Sequence, residues 1–162
     1  MKRWLMLLVI ASLYCSACKK EGADNSAWFI KAKFNGTEKT FSDSPSASEY
    51  SGDLSAGFSM NAKSDSDNSS FSLGIVHPFG VEITPGSYNK PSNGYYPNGS
   101  YIKDTVSYVS GLLLPDSSTI QITISSLTNT TVTGTFNGTL HNRNDSTEEI
   151  TITNGSFNLP VK

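Results

Sequence analysis

From Trp28 onward, apolar and polar residues alternate with a period of two and almost nowhere with that of a helix, which predicts short strands joined by turns. In the first such run, Trp28, Ile30, Ala32 and Phe34 share one parity while Phe29, Lys31 and Lys33 share the other. Asn35-Gly36 follows, and both residues tolerate the positive φ of a type I′ hairpin turn. A two-residue turn pairs Phe34 with Thr37. It sets Lys33 opposite Glu38 on the outer face and Ile30 opposite Phe41 on the core face. It also places Lys39 on the inner side, and an inward lysine reads as an edge strand, where charge discourages pairing with other chains.

The C-terminal third is equally regular. Ile120, Ile122 and Ile124 alternate with polar residues, and after a short Thr-Asn-Thr connection so do Val132, Gly134, Phe136, Gly138 and Leu140. The loop Asn142 to Thr147 returns the chain, completing a three-strand antiparallel meander. In the last strand Ile150 and Ile152 have one parity and Phe157, Leu159 and Val161 the other, so Asn154-Gly155 must shift the phase by a bulge or corner that lets one strand serve two sheets.

The middle is less patterned. Gly57 to Asn61 and Ser69 to Val76 read as strands around a polar tip, Lys63 to Asn68. Glu82-Ile83 reads as a short strand ended by Pro85-Gly86, and Lys90 to Ser100 as a long turn-rich loop. These elements predict an all-β, single-domain antiparallel β-sandwich, with a closed or partly open β-barrel as the alternative.

The start of the chain is different. Lys2 and Arg3 precede an apolar run from Trp4 to Leu13, which has the charge and length of a signal peptide and is too short to span a bilayer. Ser16-Ala17-Cys18 resembles the bacterial lipobox, in which a small pair precedes the cysteine that receives diacylglycerol. Cys15 follows bulky Tyr14 and is the poorer acceptor. The expected organisation is a lipoprotein signal peptide over 1–17, a tether over 18–27 and the β domain over 28–162. Losing residues 1–17 leaves ten basic residues against 14 acidic ones, a net charge of about −4 that argues against nucleic acid as a partner. The same cleavage discards Cys15 and spends Cys18 on the anchor, leaving no thiol for a disulfide, nucleophile or metal.

Gly134-Thr135-Phe136 and Ile150 to Asn158, together with Trp28 to Phe41 and Ile83 to Tyr88, give the chain a pattern that resembles an uncharacterised family of secreted Bacteroidota lipoproteins. The motifs are turn and core residues, so the resemblance implies fold and compartment, an outer-membrane lipid anchor, and transfers no active site. Asp104-Thr105-Val106 and Asp145-Ser146-Thr147 look like the short motif that such bacteria O-glycosylate, which makes Thr105 and Ser146 candidate modification sites.

Reaction chemistry is sparse. No nucleophile elbow, zinc-binding helix motif or phosphate-cradling loop is present in the sequence. His77 at a strand end and His141 at the outer-face end of another read as solvated or locally bonded imidazoles. Glu148 and Glu149 are strand neighbours on opposite faces and cannot flank one glycosidic bond. Asp65, Asp67 and Asn68 lack the glycine and closing glutamate of a calcium loop. Tyr88, Tyr95, Tyr96 and Tyr101 cluster in sequence around Asn98. Rings with amides can bind sugars, and Tyr95, Tyr96 and Asn98 are the candidate ligand contacts, although the same rings also suit the cap of a core. The expectation is therefore a non-catalytic, cofactor-free lipoprotein, a structural or interaction module whose partners are the membrane, through its anchor, and a glycan or another envelope protein. A glycan-binding module using the Tyr95-Tyr96 loop is the alternative, and a hydrolase the remote one.

Overall fold

A computed structural model describes residues 27–51, 56–89, 94–110 and 119–162. Cys18, the signal peptide and nearly all of the tether lie outside them. Among the described residues the chain forms eleven strands and no helix: β1 (Phe29–Phe34), β2 (Thr37–Phe41), β3 (Asp43–Ser51), β4 (Ala56–Lys63), β5 (Ser70–His77), β6 (Gly86–Tyr88), β7 (Tyr96–Lys103), β8 (Val106–Ser110), β9 (Ile120–Leu127), β10 (Thr131–Asn142) and β11 (Glu149–Pro160).

The strands make one antiparallel sheet in the order β2-β1-β11-β10-β8-β7-β5-β4-β3. The sheet curls until its far side returns to β11, where Ala47 of β3 bridges Val161 and the Lys162 N–H donates to the Ala47 carbonyl at 2.9 Å. The all-β antiparallel class is as expected, and the form taken is the barrel-like one, nearly closed. β10 is long enough to serve two neighbours. Its end, His141-Asn142, pairs with β8, while Val132 to Gly138 pair with β9, which in turn carries β6.

The first hairpin follows the sequence-derived register: Phe34 faces Thr37, Lys33 faces Glu38 and Ile30 faces Phe41. Asn35 and Gly36 supply the turn with φ of 47° and 83°. The ion pair on its outer face is the diagonal one, Lys31 to Glu38 at 3.1 Å. β2 is an edge, as Lys39 implied.

The phase shift at Asn154-Gly155 is a bulge. Asn154 takes φ 54°, and the pairing of β11 slips there against both β1 and β10. Both neighbours stay bonded across it, so the bulge bends one sheet and does not divide the strand between two.

Two Gly-x-Phe triplets interlock at this point. Gly134 faces Phe157 and Phe136 faces Gly155, so each ring lies over the other strand's glycine. The barrel interior is filled by rings and branched chains rather than left as a channel. Phe71, fully buried, has its ring centre 5.3–5.6 Å from those of Phe136, Phe34 and Phe41, and each such side chain contributes about 1.5–3 kcal/mol by burial.

Several middle elements differ from expectation. Tyr96–Lys103 is a strand, not part of a long loop. Asn98-Gly99 does not turn: the Asn98 amide lies over Gly74 of β5, and Gly99 sits against Ile120 and Leu140. Glu82-Ile83 is not a strand; Ile83 plugs the core from an irregular segment, and the pairing falls to Gly86–Tyr88. β3 is a further strand. Among its nine residues only Ala47 is buried, so its ladder to β4 holds it where side-chain burial does not.

Candidate functional site

Turns gather at one end of the barrel, here called the mouth. The Asn35-Gly36 turn, the β4–β5 tip at Ser64–Ser69, the Asp104-Thr105 turn between β7 and β8, and the β10–β11 loop all lie there, as the registers of β1, β5, β8 and β10 require. β1 begins at the opposite end, where β11 finishes and β9 turns into β10.

The mouth holds an open cavity of about 480 Å³, within the range of small-molecule sites. It is lined by the rings of Phe34, Tyr101 and Tyr108 with Val106 and Ile150, and by the charged side chains of Lys39, Lys103 and Asp104. Tyr101 is buried and packs 4.9 Å from Phe34, ring centre to ring centre.

Lys39 is the residue whose inward parity looked anomalous. Its Nζ donates to Asp67 Oδ2 at 2.5 Å and lies 5.7 Å from the centre of the Tyr101 ring. Partial burial opposes its charge, but the bonds to Asp67 and Tyr101 outweigh this and raise its pKa above the usual lysine value. Asp67 is driven well below the ordinary carboxylate range by the Lys39 bond first and then by the Ser69 hydroxyl. This carboxylate ties the β4–β5 tip to the edge strand β2. Asp65 is engaged by the Ser42 hydroxyl, so the two aspartates considered for calcium serve separate contacts.

On the other side of the mouth, Glu148 accepts from the Tyr108 hydroxyl and from Asn142 Nδ2. Those two donors lower its pKa, and the same carboxylate pushes Tyr108 up to about 12. Thr105 and Ser146, the candidate glycosylation residues, are both exposed on the turns around this end.

The structure separates the tyrosines. Tyr88 is buried, its hydroxyl donating to the Thr84 carbonyl, and Tyr95 packs edge-on against it at 5.1 Å. Tyr96 and Asn98 occupy outer-face positions of β7, while Tyr101 sits at the mouth. Tyr95 and the Tyr96–Asn98 pair therefore do not form one cleft.

Neither histidine lines the cavity. His77 is buried near the opposite end with Nδ1 2.9 Å from the Pro78 carbonyl. His141 is also buried, contrary to the solvated alternative: the β10–β11 loop folds over it, and its Nδ1 lies 3.0 Å from the Ser146 carbonyl. Among the described residues no three His, Cys, Asp or Glu gather as metal ligands. The cavity itself joins residues from five strands and two turns, and only the parity of Lys39 signalled it in the sequence. Comparison with family models, with curated proteins and with solved structures finds no match.

Proposed function

We propose that this chain is an outer-membrane lipoprotein acylated at Cys18, a non-catalytic interaction module that takes small amphipathic ligands or partner segments at its barrel mouth. The observation that carries the reading is directional. The tether over 18–27 leads into β1 at the end opposite the cavity, so an anchored domain holds its mouth away from the bilayer. The several acyl chains of such an anchor hold stably where a single chain does not. Rings in the lining, with Lys103 and Asp104 of opposite sign beside them and Lys39 already paired to Asp67, suit a ligand with an apolar body and a polar head. Neither histidine is among the residues that line the cavity, which favours binding over hydrolysis. Among the described residues Tyr95 packs on Tyr88 while Tyr96 and Asn98 stand on the outer face of β7, so the glycan reading draws less support from the geometry than the mouth does.

The test is metabolic labelling with an alkyne fatty acid in the producing cell. The wild-type chain takes up label and Cys18→Ala does not. Label retained by that variant rejects the anchor assigned here.

A further inference from the structure

Four of the five exposed large apolar residues in the described chain lie toward the end away from the mouth. They are Trp28, Tyr50, Phe79 and Val81, with Phe79 the most exposed at 53%. Trp28 immediately precedes β1, where the tether arrives. Tyr50 ends the row Tyr50-Gly57-Val76 across β3, β4 and β5, and its ring lies over Gly57. Phe79 and Val81 follow His77, the last residue of β5, which pairs with Ala56 and so stands beside Ser51 at the end of β3.

Phe79 is not on a loose loop. The Val81 N–H donates to the Pro78 carbonyl at 3.4 Å and Gly80 has φ 74°, the arrangement of a type II turn with Phe79 at its leading corner. The Pro78 ring packs on Gly94, which braces the turn from below. Scattered exposed apolar residues are ordinary. A braced turn presenting Phe and Val at the end where an aromatic residue receives the tether is a directed feature.

Resting on the anchored reading above, we propose that this end docks on the lipid–water interface, with the Phe79-Gly80-Val81 turn as a shallow wedge and Trp28 and Tyr50 at headgroup level. Tryptophan and tyrosine favour that depth because a ring and a polar group can each meet their own medium. A tether of ten residues reaches about 35 Å at most. It therefore keeps this end at high local concentration next to the bilayer, and modest apolar burial suffices to seat it. Glu49, Glu82 and Lys162 are exposed in this part of the molecule and of mixed sign, so apolar insertion rather than attraction to anionic lipid drives the contact.

Cleavage after residue 17 removes Trp4 and leaves Trp28 as the sole tryptophan, a built-in probe. The purified acylated protein is reconstituted into phosphatidylcholine vesicles with and without bromine on the upper acyl chains. Trp28 emission should shift blue and fall about two-fold with bromine, and Phe79→Ser with Val81→Ser should restore most of it. Emission that ignores the bromines overturns the docking, as does equal quenching in wild type and variant. Shielding from a soluble quencher without bromine quenching also overturns it, and shows that a protein surface covers this end. Intact mass separates the two proposals: acylated protein with unquenched Trp28 defeats the docking alone, and an unmodified N-terminus defeats both.

Discussion

Replacing Asp67 by Asn removes one charge from the mouth while keeping the side chain's size and its capacity to accept from Ser69. What is lost is the charge-assisted bond to Lys39, made between side chains that are 23% and 26% exposed. A fully exposed pair is worth about 0.2–1 kcal/mol and breaking a buried one costs about 3–5 kcal/mol. This pair lies between, so Asp67→Asn should destabilise by about 1.5–2 kcal/mol. For a domain of this size that is a fall in Tm of about 5–7 °C, read by calorimetry at neutral pH.

The pH dependence has a definite sign. Asp67 has a folded pKa below its unfolded one, so its stabilisation is full above about pH 4 and is lost as pH falls further. The gap between wild type and Asp67→Asn should therefore close on acidification. Lys39 has a folded pKa above its ordinary value, so its contribution is full below that value and fades only at strongly alkaline pH. A cycle with Lys39→Met isolates the pair from each residue's other contacts. A coupling near zero, or a gap unchanged at pH 2.5, would refute the claim that this pair ties the edge strand to the β4–β5 tip.

Two further substitutions test other parts of the fold. A Cβ at Gly134 would run into the Thr123 carbonyl and the Phe157 ring, so Gly134→Ala should cost about 1–3 kcal/mol in chemical denaturation; an unchanged midpoint would mean the triplets do not interlock as described. Tyr108 should ionise at about 12 in an ultraviolet pH titration, and Glu148→Gln should bring it back toward about 10; persistence of the high step in that variant would show that burial rather than the carboxylate sets it.

How much of this was legible before the structure depends on what each strand relies upon. β1 and β9–β11 are written in parity because each buries one face, and the Asn35-Gly36 turn then fixes which residues of β2 meet β1, although only Phe41 of β2 is buried. The Asn154-Gly155 bulge was visible as a change of phase for the same reason. β3 carries little apolar signal because it is held by its ladder to β4, with Ala47 its one buried side chain. β7 was hidden by Pro97 and Asn98-Gly99, turn-forming residues that here serve as inward filler and as a cover for Gly74. The mouth cavity exists only after the β1–β2 and β7–β8 hairpins meet. Lys39 hinted at it because an inward charge needs a partner, yet no local pattern could name Asp67, 28 residues away, as that partner.

The pairing of β1 with β11 has a consequence for how the molecule comes into being. Among the described strands the first to be synthesised, β1, hydrogen-bonds along the last, β11, and the bridge that brings the sheet round, Ala47 to Val161, follows directly on β11. A growing chain thus cannot complete its sheet before β11 and Val161 have been made, which leaves the sheet open while every earlier strand is synthesised and lets one late pairing bring its two sides together.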